Sequence, residues 1–342
     1  MKTRMMDKFL SKVTGAFILS FISILPLTAQ NRDQQIRAHI DSILTARYYK
    51  TPYDTNYVVR PEGKLTLKVM RNQMGNDFHA RGTMNGVYAK ADLKTSYKST
   101  VSIGASYRSL SASLSINPAK WRGAYKDYEF NFNYYSNHIS LDFSYQKSES
   151  LTGDINRDDT GIQTMQSGDL TMTVVNLAGY YAFNYRRFSF PAAFNQRYIQ
   201  LRSAGSWLAG ISYQGGSIET SDELKARKPE APEIGINVGH IGIGGGYGYN
   251  WVIGKRWLLH FSMLPTFVVY NRNKMTVNGE RKEAQRMRFN MIFNERAAII
   301  YQFTPHYFAG GTLNMNNSVF DDKVVIVNQN KWVARVFVGM RL

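Results

Sequence analysis

The first residues to ask about chemistry are the histidines and the serines beside them. Ser136-Asn137-His138 puts a hydroxyl and an imidazole close together, the pairing that nucleophilic acyl transfer needs. Ser and Asn are also what a tight turn requires for backbone reasons, and the order is not the His-x-Ser-Asn-Gly of an outer-membrane phospholipase. The expectation is therefore a turn, with a lipid-modifying enzyme as a lesser alternative and no catalytic residue assigned. His39, His79, His240, His260 and His306 lack metal-ligand spacing, although His240 and His260 could approach each other on adjacent strands. Gly242-Ile243-Gly244-Gly245-Gly246-Tyr247-Gly248 has the glycine content of a phosphate loop, but no helix follows to offer its N-terminus. Glycines in a strand instead permit curvature, or leave room for a neighbouring side chain or plug. The chain has no cysteine, which excludes disulfides, thiolate metal sites and a cysteine nucleophile. No cofactor and no metal is called for.

The remaining candidates are ionisable side chains that would share an interior: Lys68, Glu129, Asp142, Arg335 and Arg341, with Arg296 if its strand has no bulge. Such groups in a lumen attract ions of opposite sign or pair with one another and block the passage. Glu295, next to Arg296, falls on the opposite row, which means either a bulge or an acid near an interface.

Their placement depends on the stretch from Ser99 to Tyr145. Val101, Ile103, Ala105 and Tyr107 alternate with Ser102, Gly104 and Ser106, and Leu110, Ala112, Leu114 and Ile116 with three serines. Tyr128, Phe130, Phe132 and Tyr134 alternate with Glu129, Asn131 and Asn133, then Ile139, Leu141, Phe143 and Tyr145 with Ser140, Asp142 and Ser144. Period two marks strands with one apolar and one polar face. One row is large and greasy, the other small or charged, so the greasy row turns outward to lipid around a polar lumen. A soluble β-sandwich that buries the same row is the competing fold.

The ends and the charge agree with a membrane protein. Lys2, Arg4, Lys8 and Lys12 precede an apolar run from Val13 to Leu27, with Ala29 at the cleavage point, so residues 1–29 read as a secretory signal peptide. Beyond Leu27 no stretch approaches the ~18 apolar residues of a membrane-spanning helix. The formal charge of +17 falls to +14 without the leader's four basic residues and Asp7. Export makes nucleic acid an unsuitable partner and favours anionic lipid head groups or anionic small solutes.

Residues 30–63 form an N-terminal periplasmic segment with a short amphipathic helix, and 64–342 a single barrel. About twelve strands are expected, at 64–71, 99–107, 109–117, 127–135, 138–147, 170–184, 204–218, 235–250, 256–271, 287–303, 306–318 and 331–342. Tight turns then fall on the periplasmic side and long loops outside. One connection disobeys. Tyr185 to Ser203 should be a short periplasmic turn, yet it is long and holds Arg186, Arg187, Phe188, Phe194, Arg197 and Arg202. The simpler reading is an interfacial loop with its aromatics at head-group level; the alternative is a plug or a periplasmic cap. The last strand ends on apolar Leu342, resembling the signal read by the barrel-assembly machinery.

The chain resembles domain-of-unknown-function family 4421, predicted outer-membrane proteins of Gram-negative bacteria. The likeness rests on Asp54-Thr55-Asn56-Tyr57, Arg187-Phe188-Ser189 with Ala193-Phe194, Ser203-Ala204-Gly205-Ser206 leading into Gly210, and Gly246-Tyr247-Gly248-Tyr249, and covers roughly Tyr49 to Leu342. It implies a barrel and brings no activity or site residue with it. The expected role is a passive channel or small-solute transport protein of the outer membrane, with a plugged structural or envelope-interaction barrel as the alternative.

Overall fold

A computed structural model describes residues 35, 38–43, 53–61, 63, 65–84, 86–107, 110–116, 127–136, 138–159, 161–229, 233–277, 280–283, 289–322 and 325–342. Residues 1–29, expected as a signal peptide, and most of the expected N-terminal helix lie outside these residues, although 38–43 are helical. The strands are β1 (Val58–Val59), β2 (Leu65–Met84), β3 (Val87–Thr95), β4 (Lys98–Tyr107), β5 (Leu110–Ile116), β6 (Tyr128–Tyr135), β7 (Ile139–Ser148), β8 (Leu151–Arg157), β9 (Gly161–Met165) and β10 (Leu170–Ala182). They continue as β11 (Ile199–Gln200), β12 (Ala204–Thr220), β13 (Ile234–Ile253), β14 (Trp257–Asn271), β15 (Lys274–Val277), β16 (Glu280–Glu283), β17 (Phe289–Gln302), β18 (Tyr307–Asp322) and β19 (Val325–Arg341). Two short helices, α1 (Phe190–Phe194) and α2 (Asp222–Arg227), interrupt them.

All pairings with a register are antiparallel. Twelve long strands follow one another as β5, β4, β2, β19, β18, β17, β14, β13, β12, β10, β7 and β6. The sheet order also sets β6 beside β5. Of the twelve, β2 and β19, the first and last along the chain, are adjacent, with Lys68 opposite Gly339 and Asn72 opposite Arg335, and Leu65 and Leu342 exchange backbone hydrogen bonds.

The two rows of the alternation face opposite environments. Ser102 is 1 % exposed and its neighbour Ile103 64 %. Val69, Trp207, Ile211, Ile243, Phe261, Val336 and Val338 are exposed, while Asn72, Ser106, Ser212, His240, Thr266 and Asn294 are buried. Side chains on strands that are not neighbours meet across the interior, as Arg296 of β17 does with Asp142 of β7 and Gln214 of β12 with Gln329 of β19. The sheet therefore curls around its polar face. A sandwich would bury the greasy row between two sheets, and these residues are instead on the outside.

The long connections are more ordered than the alternation suggests. Residues 72–98 are expected as a loop, yet β2 continues to Met84 and returns as β3. Hairpins β8–β9 and β15–β16 occupy 148–169 and 272–286, α2 lies in 219–234, and β18 and β19 extend into 319–330. These extensions carry charges such as Lys90, Asp92 and Lys94 on faces open to solvent, so the apolar half of the pattern that reveals a strand is thin there. At the terminal end the turns are tight: Ile253 pairs with Trp257 across a loop of three residues, in which Gly254 and Lys255 both have positive φ (57° and 62°).

Gly244 and Gly246 of the Gly242–Gly248 run allow β14 to approach. A Cβ on Gly244 would stand 2.0 Å from the Pro265 carbonyl oxygen, whereas one on Gly245 meets nothing closer than 3.4 Å. Gly244→Val is therefore expected to prevent β13–β14 pairing and Gly245→Val to be tolerated. The fraction of protein migrating as the compact, unboiled species in detergent gels measures both.

Candidate functional site

The connection between β10 and β12 turns into the space enclosed by the strands. Asn184 anchors the reversal: its backbone N–H donates to Ser206 Oγ (2.9 Å), its side-chain amide to the Gly205 carbonyl (2.8 Å), and its own carbonyl accepts from Arg187 and Phe188 N–H. Ser189 then caps α1 by accepting from Ala192 N–H (3.2 Å), with Pro191 in the first turn where its missing N–H costs nothing. Gln196 takes a left-handed φ of 57° and turns the chain back out. β11 leaves alongside β1, where Val58 and Val59 lie opposite Gln200 and Ile199. Every residue from Phe188 to Tyr198 is buried.

The enclosing strands are apolar on both faces at this end. Tyr180, Leu208, Leu264, Ala298, Ile300, Phe308 and Phe337 point inward and form one cluster with Phe188, Phe190 and Phe194. Gly248 leaves the space that Phe188 fills, since a Cβ there would be 2.9 Å from the ring. His260 is the hub of the aromatic contacts, with ring centroids 5.8, 5.4 and 5.0 Å from Phe188, Phe190 and Phe194.

Cations from the strands satisfy the polar groups that the plug carries inward. Lys68 Nζ donates to Gln196 Oε1 (3.0 Å) and to the Phe194 carbonyl (3.4 Å). Arg341 Nε donates to the Gln196 carbonyl (3.0 Å), and its Nη1 to Gln302 Oε1 and the Pro305 carbonyl, both at 2.9 Å. In the other direction, Arg197 of the plug donates to the Tyr135 carbonyl. Asn250 joins the two parts through its amide, which donates to the Ser189 carbonyl (3.1 Å) and Gln200 Oε1 (3.0 Å). Its Oδ1 must then accept from His260 Nδ1 (2.6 Å), leaving Nε2 to Ser262 Oγ (2.9 Å). A buried backbone acceptor without a partner costs ~1–3 kcal/mol, so these bonds are a condition of burying the segment.

The N-terminal segment braces the plug from outside. Arg187 pairs with Asp54 (3.3 Å) and lies over the Tyr57 ring at 4.9 Å, with Arg202 on the same ring at 6.0 Å. Tyr53 contacts Ser189 Oγ (3.3 Å) and packs edge-on against Tyr198 at 4.8 Å. Desolvation first, and the neighbouring Tyr198 second, raise its phenol above the ordinary value.

Further from the terminal end the interior is polar and bridged. Arg296 pairs with Asp142, which also accepts from Asn133 Nδ2 (2.6 Å) and Tyr135 OH (2.9 Å). Lys331 donates to Ser144 Oγ (3.1 Å) and lies 3.6 Å from Glu129. Gln214 bonds Gln329, and Gln329 bonds Asn76. Lys98 and Asp127 form a buried pair at 3.2 Å.

Lys68, Glu129, Asp142, Arg296, Arg335 and Arg341 thus all lie on the inward row. Of the connection, Phe188, Phe194 and Arg197 are inside, while Arg186, Arg187 and Arg202 remain exposed; placing the aromatics at head-group level does not describe Phe188 and Phe194. His240 and His260 do not meet. Asn250 faces His260 in the register, and His240 lies opposite Asn271, stacked on Phe320 at 3.8 Å. Ser136 Oγ donates to the Ile139 carbonyl and accepts from its N–H, closing a turn, while His138 packs on Tyr185. The β14–β17 register is regular at Met263 and Glu295, so Glu295 faces outward without a bulge and accepts from Asn317 Nδ2 (3.1 Å). Sequence reasoning missed Gln196, Asn250 and the bracing role of Tyr53–Val59. The available signal was the loss of alternation in β10, β12, β17 and β19 at one end only.

A family model described as Domain of unknown function (DUF4421) matches residues 52–341. No curated protein matches the chain. Among solved structures it is similar to the outer membrane protease OmpT of Escherichia coli, with 8 % identity over 82 % of this chain and 97 % of that one and a TM-score of 0.41. It is also similar to the outer membrane protein OprG of Pseudomonas aeruginosa (8 %, 83 % and 99 %, 0.29) and to the Pseudomonas putida toluene transporter TodX (7 %, 87 % and 94 %, 0.26).

Phe188→Ala should lower the stability of the folded chain by about 3–5 kcal/mol, the usual cost of emptying a buried phenylalanine site. Arg187→Ala, at the exposed brace, should cost no more than about 1 kcal/mol. Urea unfolding followed by tryptophan fluorescence separates them. Tyr53 adds an alkaline limit: the unfolded phenol ionises near about pH 10 and the folded one later. Stability is therefore intact below that pH and falls as pH rises through it, and Tyr53→Phe should flatten the fall in unfolding midpoint between about pH 9 and 11.

Proposed function

The chain belongs to the DUF4421 family, and from that premise we propose that it is an outer-membrane β-barrel of twelve strands, shut at rest by its own inward-folded connection. It acts as a plugged envelope barrel whose passage of small solutes requires the plug to move, rather than as a freely open channel. The outward greasy row supports the membrane setting, because an apolar surface of this extent is matched to hydrocarbon and not to water. Exposed Tyr181, Phe183, Trp251, Trp257, Phe303 and Tyr307 ring the terminal end, and Tyr97 and Tyr128 the other, as interfacial aromatics do. Tight turns at one end and long hairpins at the other support a periplasmic terminal end and an outer face built from β2–β3, β8–β9 and β15–β16. Eleven registered junctions, with β6 beside β5, support closure.

One observation carries the closed state: Lys68 and Arg341, each on the lumen wall, donate to Phe194 and Gln196 of the plug while Phe188, Phe190 and Phe194 fill the space between the strands. An open pore would leave those cations and rings facing water and the plug's carbonyls without partners.

In planar bilayers the full-length protein should remain nearly silent. Replacing residues 186–202 by a short turn should produce steady conductance steps, and Lys68→Ala with Arg341→Ala should give intermittent ones. Steady conductance of the unaltered protein, equal to that of the shortened one, would overturn the proposal. The two-point variant keeps the test available should the shortened chain not fold.

A further inference from the structure

The outward face of β12, β13 and β14 is not smooth. A groove of about 490 Å³ runs along it near the terminal end, bordered by Trp207 on one side and by Phe261, Met263 and Pro265 on the other, with Gly246 in its floor. A missing side chain makes room for it. Tyr247 and Tyr249 belong to the greasy row by parity, yet both lean toward Gly205 of β12, where a Cβ would stand 2.1 Å from the Tyr247 hydroxyl and 2.7 Å from Tyr249 Cδ2. The Tyr247 ring rests edge-on against Trp207 at 5.2 Å, and Tyr249 packs on Trp251 at 4.7 Å. The β14 side of β13 is thereby left open, and the surface that lines it is almost wholly apolar.

Its length and its flanking charge suit a lipid. Gly246 and Trp251 are five residues apart, which is ~17 Å along the strand and ~13 Å along the membrane normal once the tilt of a barrel strand is allowed for. The hydrocarbon of one leaflet is ~15 Å deep, half of the core. Beyond Trp251 the two strands turn through Gly254, Lys255 and Arg256, all exposed, at the level of the head groups. Neither cation makes an ion pair among the described residues, and Arg256 lies 3.5 Å from the Tyr301 hydroxyl. Exposed Arg186 and Arg202 stand at the same end, where Asp54 already holds Arg187. We propose that this groove is a binding site for one anionic phospholipid of the terminal-end leaflet, an acyl chain lying between the tyrosines and β14 and the phosphate on Lys255 and Arg256. A second copy of the chain suits the surface less well, because a two-fold axis along the membrane normal would set Lys255 and Arg256 against their own counterparts. The inference rests on the membrane reading of the outward row and not on the barrel being shut, since no residue of the plug contributes to the site.

The test uses the full chain reconstituted in phosphatidylcholine vesicles, with phosphatidylglycerol carrying brominated acyl chains as the probe and brominated phosphatidylcholine as its control. Bromine quenches tryptophan on contact, and Trp207 and Trp251 border the groove. A basic residue at an anionic head group adds about five-fold in preference, so two should give ~30-fold, and quenching by the anionic probe should be half complete near ~3 mole per cent. The control should quench only in proportion to its mole fraction. Lys255→Gln with Arg256→Gln should bring the anionic probe down to the control's behaviour. Gly205→Val, which drives the two tyrosines back over the groove, should do the same with the turn intact, and Lys94→Gln, at an exposed cation on β3, should change nothing. Proportional quenching by both probes overturns the proposal and leaves the membrane reading standing, whereas no quenching by either removes both. A saturable phase that survives the Lys255 and Arg256 changes also overturns it, as does a cross-linked dimer in which Trp207 is shielded from both probes.

Discussion

The structure depends on one constraint, the antiparallel hydrogen-bond ladder that runs from β5 round to β6, with a register shift at Ile241/Gly242 between β13 and β14. Every backbone N–H and C=O in a strand facing hydrocarbon must find its partner in the next strand, since no water is there to replace it. The ladder fixes register, and register fixes which face each side chain takes. A shift of one residue on β4 would turn Ser102 outward and Ile103 inward. The polar interior, the bridging pairs and the seat of the plug all follow from pairings such as Asn72 with Thr100 and Arg335 with Asn72.

An interior built this way creates a second problem, because a row of inward polar residues must itself be satisfied. At the terminal end the chain solves it by changing the row, so that Leu208, Ile300, Phe308 and Phe337 replace serines and asparagines and the enclosed space accepts an aromatic segment. The few cations that remain, Lys68 and Arg341, stand where the segment's carbonyls are. Farther in, the row is polar and the side chains answer one another across the lumen. Arg296 belongs to both regions: its guanidinium pairs with Asp142 and lies 3.9 Å from the Tyr180 ring centroid, with Phe190 and Phe194 at 5.8 and 5.9 Å.

The brace outside the plug follows the same economy. Val58 and Val59 pair with β11, and Asp54 and Tyr57 meet Arg187 and Arg202, so a segment remote in sequence closes over the turn. The three exposed arginines of the connection therefore lie outside, and the aromatics and Arg197 inside. A stretch that reads as one mixture of cations and rings is divided by the wall it passes.

The sequence alone determined the strands of the barrel wall, because a period of two with one greasy row is a property of neighbouring residues. It determined equally that Lys68, Glu129, Asp142, Arg296, Arg335 and Arg341 share a face, since parity along a strand decides that once the register is regular. Only the tertiary structure decided what those six residues meet. Glu129 and Lys331, or Arg296 and Asp142, lie on strands far apart in the chain, and nothing local encodes the curvature that brings them together. The same holds for the plug. Its inward course depends on the strands around it being apolar on their inner faces at one end, a match between distant residues that single-strand periodicity does not carry. The hairpins beyond the wall were hidden for another reason: their buried apolar side chains are few, and Leu93 and Leu151 stand among Lys90, Asp92, Lys94 and Asp154.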